Sequence, residues 1–312
     1  MEWARVFNRR GGRVFDLLPI SRSFGDWVIL LYPLAVRAID TIFFTDLDGT
    51  LLDHDSYSWA AAQDALEEIE QRQLPLVLVT SKTRAEVEVL RRKMGHGHPF
   101  ITENGGGIFF PRGYFPKKVE DAASVSHQYM CVALARPYAE ITAALDEIAE
   151  ETGAGAVGFR QMSAREIAQN TGLTVREAEL ARQREFDEPF FFTGSEEEQQ
   201  RFRAAARVRG LTLARGGRFW HAFSGSDKGR AVQRLMKVYR EVLRGSGRVR
   251  SVALGDSAND LPMLRAAGVA VVIPQPGGNH DEALLEELPR AIRAPAAGPQ
   301  GWNAAVLELL RG

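Results

Sequence analysis

The chain has 312 residues, 45% hydrophobic and 25% charged, with a formal net charge of −1 at pH 7. This balance suits a soluble globular chain of one large domain or two smaller ones, and excludes a strongly basic nucleic-acid binder. A single cysteine, Cys131, excludes an internal disulfide and a cysteine-rich zinc site, and points to the cytoplasm.

The first segment carries no chemical motif. Arg9, Arg10, Arg13 and Arg22 precede the apolar run 27–36, WVILLYPLAV. That run is shorter than the ~20 residues of a spanning helix, and Pro33 interrupts it. Residues 1–39 read as an N-terminal extension with no stable membrane insertion. From 42 to 80 the pattern is strand, helix, strand. Residues 42–45 are a short apolar run, Trp59, Ala62, Leu66 and Ile69 recur at helical spacing, and 76–80 is a second apolar run. Continuous apolar strands separated by amphipathic helices predict a parallel sheet covered on both faces. Thr83 and Glu86 form a capping-box pattern that opens a helix. Glu103-Asn104-Gly105-Gly106-Gly107 predicts a hairpin or tight corner.

The rhythm changes after Pro116. Residues 128–135 read as a strand and 138–150 as a helix. Ser163/Glu166 and Thr174/Glu177 each read as a capping box. Residues 190–193 read as a strand, 196–209 as a helix and 218–223 as a strand. This α+β module sits between two halves of a doubly wound α/β domain and reads as an insertion. The α/β rhythm returns with a helix over 227–243, a strand over 249–254, a helix over 257–267 and a strand over 269–273. The expected division is an extension, 1–39, a parallel-sheet Rossmann-like core, 40–115 with 222–312, and an α+β cap, 116–221. Cys131 lies in an apolar run and reads as a buried structural thiol.

Four motifs fall at the carboxyl ends of strands or at helix starts, where open α/β sheets bind ligands. They are Asp46-Leu47-Asp48-Gly49, Thr80-Ser81-Lys82, Lys228, and Gly255-Asp256-Ser257-Ala258-Asn259-Asp260. Alone, the acid pair is equally a turn or part of a calcium loop. Alone, Thr80 is a strand end, Lys228 a solvated helix lysine and the last motif a helix start. Together and in this order they suit phosphoryl transfer to a carboxylate. Asp46 is the candidate nucleophile. Asp48 protonates the leaving oxygen and then deprotonates water. Thr80 binds a phosphoryl oxygen, and Lys228 offsets negative charge. Asp256, with Asp46 and the Asp48 carbonyl, suits an oxygen-only Mg²⁺ shell, with Asp260 and Asn259 holding its waters or Lys228.

These motifs resemble the haloacid dehalogenase superfamily of phosphohydrolases, over the chain from Asp40 almost to its end. The inserted module is similar to the large α+β cap of the Cof-type branch. The segments TSKTRAEVE, ENGGGIFFP, TGLTVREAELARQREFDEPF, GGRFWHAFSGSDKG and GPQGW resemble the mannosyl-3-phosphoglycerate phosphatase family. Threonine stands at position 80 where that family's pattern has serine, and keeps the hydroxyl. The resemblance implies Mg²⁺ dependence and hydrolysis of mannosyl-3-phosphoglycerate to mannosylglycerate, a compatible solute. It also implies the roles above for Asp46, Asp48, Thr80, Lys228, Asp256 and Asp260. A substrate bearing phosphate, carboxylate and sugar makes Ser81, Lys82, Asn104, Arg184, Glu188, Arg218 and His221 candidate contacts. Related phosphatases of glucosyl-3-phosphoglycerate or sucrose phosphate, a phosphomannomutase, and a non-catalytic sensor share these motifs. The intact Asp46 weighs against the sensor.

Overall fold

A computed structural model describes residues 40–215, 219–243 and 249–311. The extension 1–39, its apolar run 27–36, and Arg218 lie outside them.

The first part of the chain runs β1 (Thr41–Thr45), α1 (Gln63–Gln71), β2 (Leu76–Val79), α2 (Arg84–Met94), β3 (Phe100–Thr102) and β4 (Gly107–Pro111). Two further strands follow, β5 (Ala123–Ser124) and β6 (Tyr129–Ala133). The next segment holds α3 (Tyr138–Thr152), β7 (Ala156–Gly158), α4 (Ala164–Thr171), α5 (Val175–Ala181), β8 (Asp187–Phe192), α6 (Glu196–Val208), β9 (Leu211–Arg215) and β10 (Trp220–Ser224). The last part is α7 (Lys228–Val242), β11 (Arg250–Gly255), α8 (Leu261–Ala266), β12 (Val269–Val272), α9 (Glu282–Glu287), β13 (Ile292–Arg293) and α10 (Gly298–Arg311).

Among the described residues the strands form a nine-stranded sheet, β13-β12-β11-β1-β2-β3-β4-β6-β5, and a four-stranded sheet, β7-β8-β10-β9. The six strands from β13 to β3 are parallel. The central strand β1 shows why both faces are covered. Its alternate side chains point to opposite faces. Ile42 and Phe44 pack with Ala231, Val232 and Leu235 of α7, whereas Phe43 packs with Ile69 of α1, Val87 of α2 and Trp302 of α10. The predicted capping boxes form: Thr83, Ser163 and Thr174 each accept the N–H three residues on, and the glutamate there accepts in return.

The large sheet is mixed rather than wholly parallel. β3, β4, β6 and β5 pair antiparallel, through the predicted corner at 103–107. The strand expected at 128–135 therefore belongs to the large sheet, and a module boundary at residue 116 does not hold. The apolar residues of β6 serve equally well in either sheet, and only the pairing with β4 decides. At the other end, β10 runs to Ser224 in the small sheet, past the boundary drawn at 222. The small sheet also holds two strands that sequence patterning missed. β7 is three residues long and β9 is half exposed, so neither has a strong apolar alternation. Among the described residues no helix is long and apolar enough to cross a membrane.

Candidate active site

The parallel register brings the carboxyl ends of β1, β2 and β11 into one row, with Thr45 opposite both Leu254 and Leu78. Asp46 follows β1 and donates its N–H to Leu254 O at 2.9 Å. Asp256 follows β11. Between them the chain turns at Gly49, whose φ is +79°. A Cβ there would lie 2.9 Å from Asp256 Oδ2, so the loop can approach this carboxylate only with glycine. Thr50 Oγ1 donates to Asp256 Oδ1 at 3.0 Å.

Lys228 opens α7 and is 1% exposed. Its Nζ donates to Asp46 Oδ1 at 2.6 Å and to Asp260 Oδ1 at 2.7 Å. Asp260 Oδ2 accepts the N–H groups of Asp256 and Ser257. Both of its oxygens are therefore engaged, and Asp260 fixes the lysine and the Asp256 loop. Asn259 is exposed, and its Oδ1 accepts from Ser257 Oγ.

One ammonium does not balance these acids. Burial, followed by Asp260, drives the Asp46 carboxyl well above the ordinary carboxylate range despite Lys228. Burial, followed by Asp260, pushes Asp256 up to about 6. Burial works against the Lys228 charge, yet Asp260 and Asp46 hold its ammonium above the usual lysine range. Asp46, Asp256 and Asp260 each offer an oxygen, and these atoms lie within 4.8 Å of one another. Such an oxygen-only, over-negative cluster fits a hard divalent cation. Since Lys228 and two amides take Asp260, Asp46 and Asp256 are the carboxylates left with an uncommitted oxygen.

Asp48 points the other way. Its Oδ2 pairs with Lys82 Nζ at 2.9 Å, while its Oδ1 is buried without a hydrogen-bond partner among the described residues. Thr80 is buried, and its Oγ1 accepts the Lys82 N–H at 3.1 Å. A cleft of about 160 Å³ opens beside Asp48, lined by Tyr57, Ser81, Lys82, Phe159 and Arg184. Arg184 Nη1 donates to Ser81 O at 2.9 Å.

The other expected contacts divide. Asn104 and His221 meet at Asp187, a fully buried acid absent from the sequence candidates. Asn104 Nδ2 and His221 Nδ1 lie 3.1 and 3.0 Å from Asp187 Oδ2, and Arg184 Nη1 lies 3.6 Å from Asp187 Oδ1. Burial opposes the Asp187 charge, but His221, Arg184 and Asn104 hold its carboxyl below the ordinary range. Glu188 is the next residue of β8 and so points to the opposite face. Its oxygens accept from Tyr138 Oη at 2.6 Å and from the Arg160 N–H at 3.2 Å. These bonds fasten β8 to the start of α3 and to Arg160. Period-two alternation over Asp187-Glu188 was the signal that could have separated the pair. Cys131 is buried, and burial pushes its thiol up to about 12, far from a nucleophile at neutral pH.

A model of the haloacid dehalogenase-like hydrolase family matches residues 43–146. A glucosyl-3-phosphoglycerate/mannosyl-3-phosphoglycerate phosphatase of Methanococcoides burtonii is 39% identical over 269 residues, covering 86% of this chain and 97% of the relative. A protein of the same name from Persephonella marina is 39% identical over 271 residues, with the same coverage. The chain belongs to this phosphatase family. It is a hydrolase of phosphoric monoesters. Solved structures share the fold. The Thermoplasma acidophilum protein 0175 is 19% identical, with a TM-score of 0.59 over 87% of this chain and 99% of its own. The phosphatase BT1666 of Bacteroides thetaiotaomicron is 19% identical, with a TM-score of 0.58 over 88% of this chain and 95% of its own. The late segment GPQGW, one of those resembling the family, opens α10. There Trp302 Nε1 donates to Thr45 Oγ1 at 2.9 Å and braces the strand end that carries Asp46.

Proposed function

We propose that this member of the family is a Mg²⁺-dependent phosphatase that hydrolyses mannosyl-3-phosphoglycerate to mannosylglycerate and phosphate. The observation that carries the reading is the Lys228 ammonium held at 2.6 and 2.7 Å by Asp46 and Asp260, beside Asp256. The relatives named for both sugars favour glucosyl-3-phosphoglycerate as a second substrate.

Asp46 supplies a carboxylate oxygen as the nucleophile. As its bond to phosphorus forms, the ester P–O bond breaks, and Asp48 gives its proton to the leaving glycerate oxygen. Asp48, now a carboxylate, takes a proton from water as that water attacks the aspartyl-phosphate. Phosphate leaves and Asp46 is restored. Lys228 and Thr80 offset charge on the phosphoryl oxygens. Asp46, Asp256 and the Asp48 carbonyl would hold Mg²⁺, which when bound would supply the positive charge that lets two anions meet. Residues 136–225 act as a cap, and Lys82, Arg184 and His221 read the glycerate carboxylate and the sugar. The buried, unpaired Cys131 suits a reducing, cytoplasmic setting.

Phosphate release by the purified protein with Mg²⁺ tests this across mannosyl- and glucosyl-3-phosphoglycerate, sucrose phosphate and mannose phosphates. The two phosphoglycerates are expected to be hydrolysed fastest. Fastest release from sucrose phosphate, or interconversion of mannose phosphates without release, would overturn the substrate assignment.

A further inference from the structure

Glu103 carries a fully buried carboxyl group that the reaction above does not use. It begins the turn Glu103–Gly105 between β3 and β4, where the backbone is left-handed three times running: φ is +49° at Glu103, +56° at Asn104 and +98° at Gly105. Two successive non-glycine residues in this region persist only where their surroundings hold them.

The surroundings here are hydrogen bonds in three directions. Toward the Thr80 loop, the N–H groups of Glu103 and Asn104 donate to Lys82 O and Thr80 O, both at 3.1 Å. Toward the two chain crossings into and out of the module, Gly106 O accepts the Leu134 N–H at 2.9 Å, and Ser226 Oγ donates to Gly105 O at 2.8 Å. Toward the module itself, Glu103 Oε1 accepts the Glu185 N–H at 3.0 Å and Oε2 accepts the Phe186 N–H at 2.7 Å. The next residues, Asn104 and Asp187, add a side-chain bond. Arg84 at the start of α2 grips the Glu185 carboxylate at 3.1 Å.

We propose that Glu103 is a positioning residue that seats residues 184–187 of the inserted module over the active site. One end of the turn is pinned to residues 80–82, and its carboxylate receives the amides that lead into β8. Those amides lie between Arg184, which reaches Ser81 O, and Asp187, which orients His221 and Asn104. Burial pushes the Glu103 carboxyl up to about 8, while Arg184 and the two amides favour its charged form, in which both oxygens serve as acceptors. Glutamine keeps the shape but places an NH₂ donor against one of the amides, leaving a buried N–H unpaired. The inference rests on the phosphatase reading and names the residue that presents the substrate-reading groups to that site.

Two substrates separate positioning from mere structure. p-Nitrophenyl phosphate needs the Asp46 site alone, whereas mannosyl-3-phosphoglycerate also needs a seated module. Glu103→Gln is expected to lose about tenfold in kcat/KM on mannosyl-3-phosphoglycerate, with KM raised, while p-nitrophenyl phosphate turnover stays within about twofold of wild type, the order of one lost hydrogen bond. Arg84→Ala, which cuts the second tie to Glu185, is expected to shift the same ratio in the same direction by a smaller factor. Circular dichroism reports folding. Equal losses on both substrates, or no loss on either in a folded Glu103→Gln protein, overturn the proposal. If Glu103→Gln does not fold, the ratio in Arg84→Ala decides, and an unchanged ratio overturns it. A wild-type protein that releases phosphate from neither substrate overturns the phosphatase reading and this proposal together, before any variant is made.

Discussion

At the residue scale the site is a problem of too many acids. Asp46, Asp256 and Asp260 converge on one lysine, and burial raises Asp46 and Asp256 above their ordinary values. Lys228 takes one oxygen of Asp46. Asp48 is paired with Lys82 on one oxygen and unpartnered on the other among the described residues. Replacing Asp46 by Asn keeps the volume and removes the proposed nucleophile. Asp46→Asn is expected to lose more than about a hundredfold in phosphate release with an unchanged circular dichroism spectrum. Retention of more than about a hundredth of the activity would contradict a covalent role.

Elements bring these residues together. β1, β2 and β11 end in one row, so residues distant in sequence share one mouth. The junction after α2 adds a pH dependence of its own. Buried Arg91 donates to His96 Nδ1 at 3.0 Å, and His98 Nδ1 lies 2.9 Å from Tyr114 Oη. Burial, then Arg91, pushes His98 down to about 4, and burial lowers His96 as well. Between about 6.5 and about 4 the unfolded chain takes up a proton that folded His98 refuses, so its contribution is lost as pH falls through that window. The ring is half-buried, so about 1–2 kcal/mol is expected rather than the full shift. Urea unfolding at pH 7 and pH 4.5 measures it. His98→Gln should flatten the decline relative to wild type, and an equally steep decline would assign the acid sensitivity elsewhere.

For the whole molecule, a cation that binds only the folded chain must raise its stability, by about 2.7 kcal/mol at a hundred times Kd. Thermal unfolding with added Mg²⁺ is therefore expected to shift upward in the wild type. The shift should vanish in Asp256→Asn, which loses one of the two uncommitted carboxylates. Equal shifts in both proteins would remove Asp256 from the cation site. This readout needs no substrate and stands apart from the kinetic tests. The same scale explains the module: its chain leaves β6 and returns through Ser224 to α7, beside the turn that holds Glu103.

Much of this was legible in one dimension. The parallel strands show as continuous apolar runs because both sheet faces are covered. The capping boxes show because their bonds span three residues. Asp46, Thr80, Lys228 and Asp256 show because each follows a strand or opens a helix, where local pattern and chemistry coincide. Only the tertiary structure decided that β6 pairs with β4, that Asp260 serves the lysine, and that Asp187 rather than Glu188 faces Asn104 and His221. It alone shows Glu103 as a hub. The physical reason is that pairing, facing and burial depend on which distant segment supplies the partner. A carboxylate's neighbours, unlike its position on a strand or helix, are set by the packed chain as a whole.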